Sequence, residues 1–208
     1  GALGTKAVAA YADYEQLVGG VETLFKDSQD QVMDYANNAY KTAALSANEY
    51  METVTSFSAS LLQSLDGDTS AAADKANLAI TDMSDNANKM GTDMTSIQNA
   101  YQGFAKSNYT MLDNLKLGYG GTQAEMERLL SDAEKISGIK YDISSYADIV
   151  DAIHVVQTEM GITGTTAEEA ASTIQGSFGM MKSAWQNLVT GMADPDQDLG
   201  VLVGNFTD

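Results

Sequence analysis

The sequence has no cysteine, a single proline and a single histidine among its 208 residues. Without cysteine the chain has no disulfide, zinc–thiolate site or thiol nucleophile, although this does not fix its compartment. The longest uncharged stretch runs from Thr53 to Leu65, shorter than the ~18 residues that span a membrane. We therefore expect no transmembrane segment. One proline is far below the usual ~5%, which favours long helices.

Positive charge is also scarce, with 11 Lys and Arg against 29 Asp and Glu and a net charge of −18. A surface of that sign repels nucleic-acid phosphates and anionic membranes, so we expect no direct binding to nucleic acid. Hydrophobic residues still make up 44% of the chain. That fraction suffices for a core and argues against a disordered chain.

Helix-start and helix-stop signals recur along the chain. A hydroxyl residue followed three positions later by a carboxylate predicts a capping box, in which each side chain satisfies a backbone N–H of the first turn. Glycines then follow where a helix should end. The boxes are at Ser46–Glu49, Thr122–Glu125 and Thr166–Glu169, with a weaker one at Ser145–Asp148, and the stops are Gly67, Gly91, Gly138 and Gly161.

Between these signals the apolar residues recur every three or four positions, and strand-like alternation is nearly absent. The helical segments are 46–65, 70–90, 94–106, 122–137 and 145–160. We predict an all-α fold, a bundle of about seven to nine mostly short helices joined by Gly, Ser and Asp turns. Residues 1–208 are predicted to form a single domain. The glycine-rich stretch 116–121 allows a division into 1–117 and 122–208, although it makes a turn equally well.

A heptad pattern stands out near the end of the chain. From Ala167 onward, apolar residues step alternately by four and three, the spacing of a narrow seam in a coiled coil or of a bundle core. Three glycines within this stretch each weaken a helix by roughly 1 kcal/mol relative to alanine, so close approach by a partner is one explanation for them. The candidate helix-packing or oligomer seam is Ile174, Phe178, Met181, Trp185, Leu188 and Met192.

The sequence offers little that indicates catalysis. The only histidine, His154, lies on an apolar run where a packed or surface histidine is far more common than a catalyst, and a zinc peptidase motif is missing. Acidic pairs alone neither identify nor exclude a glycosidase. We expect a non-enzymatic protein with no catalytic residue and no cofactor.

Two loops resemble ligand sites only weakly. Residues 118–122 precede a helix but lack the lysine of a phosphate-binding loop, so a simple turn is the better interpretation. Residues 194–200 resemble the start of a calcium loop. They depart from it in three ways: Pro195 stands at the second position, the glycine stands at the seventh position and not the sixth, and Asn205 stands where a glutamate should close the site. No metal site is predicted.

Particular strings carry more information than spacing. Taken together, they resemble the core region of tail tape-measure proteins from long-tailed phages and prophages of Gram-positive bacteria, from about residue 8 to residue 206. The strings are residues 11–20 (YADYEQLVGG), 56–60 (SFSAS), 82–86 (DMSDN), 99–106 (NAYQGFAK), 108–115 (NYTMLDNL), 118–121 (GYGG) and 176–188 (GSFGMMKSAWQNL).

The resemblance implies a structural virion protein. Such proteins lie in the lumen of the growing tail in several copies, set tail length, support assembly in the host cytoplasm and leave before the DNA during ejection. Implied partners are other copies of the chain, the tail tube protein, tail assembly chaperones and distal tail or baseplate proteins. Family members are much longer, which implies that these residues are part of a longer protein.

Two other functions compete with this interpretation: a generic acidic helical interaction module without a ruler role, and a wall-degrading enzyme of the same tail. A further question is shape, because a fully helical ruler of this length spans at most ~310 Å whereas the short capped helices predict a compact fold. We hypothesise that the region folds compactly alone and elongates in the tail, where the seam exchanges intramolecular for intermolecular contacts.

Overall fold

The computed structural model describes residues 2–172 and 182–189, and in this part of the chain the regular secondary structure is all helical, without a strand. The all-α prediction is confirmed. Residues 182–189 are helical as well. The α-helices of residues 2–172 are α1 (Ala2–Phe25), α2 (Gln29–Thr42), α3 (Ala47–Ser64), α4 (Thr69–Met90), α5 (Met94–Ala105), α6 (Gln123–Ser137), α7 (Tyr146–Glu159) and α8 (Thr165–Ser172), with 3-10 turns at Lys26–Ser28 and Leu112–Leu115.

Local chemistry sets most of the helix ends. The capping box before α3 is complete, since the Ser46 N–H donates to Glu49 Oε2 (2.8 Å) and the Glu49 N–H donates to Ser46 Oγ (3.2 Å). Side chains of Asp68 and Asp93 cap α4 and α5. Gly91 and Gly138 end α4 and α6 at φ values of 66° and 76°, a backbone region that costs glycine nothing.

The box predicted at Thr166 is wrong. The helix α8 begins one residue earlier, at Thr165, and the Thr166 hydroxyl has no hydrogen-bond partner although it is buried. The Thr166 N–H instead donates to the carboxylate of Asp85, at 2.9 Å. A residue distant in sequence therefore does what the local threonine was expected to do.

The described residues divide into two compact units. The first comprises 2–55, 167–172 and 182–189, and the second comprises 56–166. Stretch 116–121 lies inside the second unit, between the 3-10 turn at Leu112–Leu115 and α6. The single-domain interpretation and the division at this stretch both stay predictions.

In the first unit, α1 packs against α2, and the interior also takes residues from the beginning of α3. The side chains of Phe25, Tyr40 and Met51 are fully buried. Residues 182–189 join this unit through Asn187, whose Oδ1 accepts from the Ala47 N–H at 3.0 Å. Ala184 and Val189 are buried beside it.

In the second unit α7 is central, because it packs on α4, α5 and α6. The apolar faces predicted from spacing are largely buried, with exceptions at the helix ends, where Ile136 and Met160 are each 45% exposed. Aromatic residues fill the interior around α5: Tyr101 and Phe104 lie 5.7 Å apart between ring centroids, and the Tyr146 hydroxyl donates to the Tyr101 carbonyl at 2.8 Å.

Candidate functional site

The predicted seam is only partly within the described residues. Trp185, 39% exposed, and the partly buried Leu188 belong to the helical residues 182–189. The buried positions of that stretch are Ser183, Ala184, Asn187 and Val189. The other four seam residues, Ile174, Phe178, Met181 and Met192, lie outside the described residues, as does the calcium-like loop 194–200. The seam stays a prediction.

A cluster of buried polar side chains between α4 and α7 is the most unusual arrangement in the second unit, and we call it the polar cluster. On α4, Asp82, Asp85 and Asn86 are at most 1% exposed. On α7, Gln157 is fully buried and His154 is half-buried. Because burial of unpaired polar groups is costly, each of these side chains needs a partner.

Asn86 and Gln157 satisfy one another inside this cluster. Asn86 Nδ2 donates to Gln157 Oε1 at 2.8 Å and to the Leu115 carbonyl at 2.9 Å, while Thr92 Oγ1 donates to Asn86 Oδ1 at 2.8 Å. Gln157 Nε2 donates to the Asp82 carbonyl at 3.1 Å. These bonds tie α7, the end of α4 and the 3-10 turn together.

Asp85 holds the chain where α8 begins. Its Oδ2 accepts from the Gly164 N–H at 2.8 Å, and its Oδ1 accepts from the Thr166 N–H at 2.9 Å. A carboxylate at this place is favoured because the first backbone N–H groups of a helix lack partners within the helix. Asp85 is thus a remote cap.

Asp82 and His154 form the histidine–carboxylate pair of the polar cluster. His154 Nδ1 lies 2.9 Å and 3.1 Å from the two carboxylate oxygens of Asp82. Burial raises the pKa of Asp82 from 3.8 to about 6, against the lowering effect of the His154 hydrogen bond. The hydrogen bond to Asp82 in turn raises the pKa of His154.

A histidine held by a buried carboxylate can orient a general base, as in a nucleophilic triad. Within the described part of the chain, however, the hydrogen bonds of His154 all go to Asp82. The arrangement therefore links two helices, α4 and α7. His154 is half-buried and paired with Asp82, and its non-catalytic role stays a prediction.

The glycine-rich loop before α6 is a braced turn. The Gly120 N–H, which an external anion would need, already donates to Glu125 Oε1 at 3.1 Å. Arg128 donates to the Gly118 carbonyl at 2.7 Å and lies over the Tyr119 ring, 4.3 Å from its centroid. The chain's own glutamate thus occupies the site, which favours the turn interpretation.

Two open grooves carry acidic rims. One, of about 590 Å³, lies in the second unit between α6 and residues 140–143, beside Glu127, Glu134 and Asp142. The other, of about 440 Å³, lies in the first unit beside Asp13, Glu49 and Glu52. Among the described residues, no group of three His, Asp or Glu side chains has a geometry that holds a metal ion.

The polar cluster was not predicted, although the sequence held a signal for it. Residues 82, 85 and 86 are polar at spacings of three and four within a helix, so they share one face. That face adjoins the predicted apolar one, and the burial of both could have been inferred only with α7 in place.

No protein-family model, characterised protein or solved structure matches this chain significantly. Over residues 2–172 and 182–189, no helix is both long and apolar enough to cross a membrane.

Proposed function

We propose that this chain is part of the core region of a tail tape-measure protein of a long-tailed phage or prophage. In this role it is a structural virion component that sets tail length and supports tail assembly and genome ejection. The observation that carries the proposal is the set of seven family-like strings spread from residue 11 to residue 188.

The places of those strings in the fold support a structural role. The string at 82–86 contains Asp82, Asp85 and Asn86 of the polar cluster, and the string at 108–115 ends at Leu115, whose carbonyl binds Asn86. The string at 118–121 is the turn braced by Arg128. Each serves the integrity of the second unit, and within the described residues His154 forms its hydrogen bonds with Asp82.

The acidic surface suits a protein that shares a narrow tube with DNA. A net charge of −18 repels phosphate, so the DNA does not adhere as both pass along the tail. The proposed partners are further copies of the chain, the tail tube protein, assembly chaperones and distal tail or baseplate proteins.

Cross-linking in purified, intact tails tests the proposal. Because the chain has 29 carboxylates and only 11 basic side chains, a carboxylate-reactive dihydrazide is the better reagent. We expect peptides of this chain in the virion, with links to the tube protein. Links between copies should include the segment from Ile174 to Met192 if the seam hypothesis is right.

Absence of these peptides from purified tails would refute the proposal and favour the generic interaction module. A turbidity assay on peptidoglycan tests the remaining alternative, a wall-degrading enzyme. We expect no clearing, and clearing that depends on the chain's carboxylates would indicate a wall-degrading enzyme.

A further inference from the structure

The contact between His154 and Asp82 joins α7 to α4 and is partly accessible to solvent. The carboxylate is 1% exposed, whereas the imidazole side chain keeps 30% of its surface in solvent. His154 is the only histidine of the chain. The partly exposed His154 side chain can therefore exchange protons with the solvent while it contacts the buried Asp82 carboxylate.

The charged and titratable neighbours come from three helices. Lys75 and Asp85 belong to α4, Asp151 and Tyr146 to α7, and Tyr101 to α5. Lys75 pairs with Asp151, and Asp85 is engaged by the two N–H groups at the start of α8. Burial raises the pKa of Tyr101 and of Tyr146, so both stay neutral.

We propose that His154 and Asp82 form a proton-responsive latch, which holds α7 on α4 more firmly at mildly acidic than at mildly alkaline pH. As the pH rises, His154 loses its proton and the ion pair becomes a hydrogen bond to a neutral ring. The carboxylate then stays charged and buried without a cationic partner, which is unfavourable.

The direction follows from linkage. The pKa values of both groups are higher in the folded protein than in the unfolded chain. At any pH between the unfolded-state and the folded-state pKa of either group, the folded protein therefore binds more protons than the unfolded chain. Stability therefore increases as the pH falls from above the pKa of His154 toward that of an ordinary aspartate, about 4. The raised pKa of the Asp82 carboxyl and the raised pKa of His154 therefore both make the folded state more stable as the pH falls.

Proton NMR of the 208-residue chain measures the latch directly, because the single histidine gives ring signals that need no assignment. We expect the folded protein to show a histidine pKa above the ordinary value of 6.5. The Asp82→Asn variant should lower it. A wild-type pKa at or below 6.5 would overturn the proposal, and this measurement does not depend on any variant.

Hydrogen exchange tests the mechanical consequence. Protection factors of α7 amides, corrected for intrinsic exchange, should fall at least severalfold from pH 6 to pH 8 in the wild type and stay within about twofold in Asp82→Asn. Asp113→Asn is the control, because it removes the same charge from an exposed position of the same unit and should keep the wild-type profile. Equal pH dependence in wild type and Asp82→Asn would refute the latch.

Discussion

Asn86 lies at the centre of the hydrogen bonds that join α4 to its neighbours. Replacing it with alanine leaves Gln157 Oε1 and the Leu115 carbonyl without their donor. Since each of these two buried groups costs about 1–3 kcal/mol when left unsatisfied, we expect Asn86→Ala to lower the free energy of unfolding by about 2–6 kcal/mol. Urea unfolding followed by circular dichroism measures this.

Asn88→Ala is the matched control for that experiment. Asn88 lies two residues further along the same helix and is exposed, so its replacement should leave stability unchanged or slightly raised. A similar loss in both variants would mean that helix propensity, and not the polar cluster, determines the effect.

Glycine is required at position 121 because the backbone of Thr110 lies too close to leave room for a side chain. A Cβ at this position would lie 2.3 Å from the Thr110 carbonyl oxygen, whereas a Cβ on Gly120 would meet the nearest atoms, in the Glu125 side chain, at 3.5 Å. We expect Gly121→Ala to destabilise the protein by about 1–3 kcal/mol. Gly120→Ala should be neutral or slightly stabilising, and thermal unfolding of the pair distinguishes them.

At the scale of the element, capping determines how the helices begin. Asp68 accepts from the Ala71 N–H at 3.0 Å and starts α4. Asp68→Ala should cost about 1 kcal/mol, whereas Asp68→Asn keeps an acceptor and should cost little. Hydrogen exchange at Ala71 reports the cap itself. Equal exchange rates in the two variants would contradict this account of the helix start.

Helix ends were predictable because their causes are local. The segments 70–90 and 122–137 agree with α4 and α6 to within a residue at each end, since aspartate or threonine starts them and glycine stops them. The beginning of α8 was not predictable from its own residues, because Asp85, about 80 positions earlier, supplies the cap.

Side-chain size explains a second gap in the prediction. No apolar face was predicted before residue 46, yet α1 and α2 are there. Of the four buried residues of α2, two are alanines, Ala36 and Ala39. Alanine gives little hydrophobic contrast in sequence, although it allows close packing of helices.

The polar cluster shows the limit of sequence reasoning most clearly. His154 was expected to be a packed or surface histidine, and the sequence did not indicate its partner Asp82, which is 72 residues away. Many polar side chains at helical spacing lie on solvated faces. Asp82 and Asn86 find their partners on α7, whereas Asp85 finds its partners at the start of α8, so the cluster depends on contacts between residues distant in sequence.

On the scale of the molecule, one group in the second unit stabilises the fold as the pH rises and two others stabilise it as the pH falls. We therefore expect the stability of this unit to be highest at mildly acidic pH. The hydrogen bond from Arg128 lowers the pKa of Glu125 from 4.5 to about 2, so its contribution is present above 4.5 and is lost as the pH falls through about 2. Asp82 and His154 act in the opposite sense at higher pH.

Urea midpoints between pH 3 and pH 8 locate this maximum. We expect the highest midpoint between about pH 4.5 and 6, where the Glu125 contribution is retained and the raised pKa values of Asp82 and His154 favour the folded state. A midpoint that rises steadily to pH 8 would contradict the account of the polar cluster.

The compact units bear on how a tape measure could work. A unit of 111 residues, 56–166, has an expected radius of gyration of about 13 Å, which is wide for a tube that admits little more than duplex DNA. An opened, continuous helix would instead add about 1.5 Å per residue to a ruler.

Tail length measured by electron microscopy tests the proposed function most directly. If the proposed function is right, an in-frame duplication of residues 56–166 in the gene that encodes this chain should lengthen intact tails by up to about 1.5 Å per added residue, while the Asp113→Asn variant leaves length unchanged. Normal tails that carry the duplicated protein but keep the parental length would contradict the ruler role.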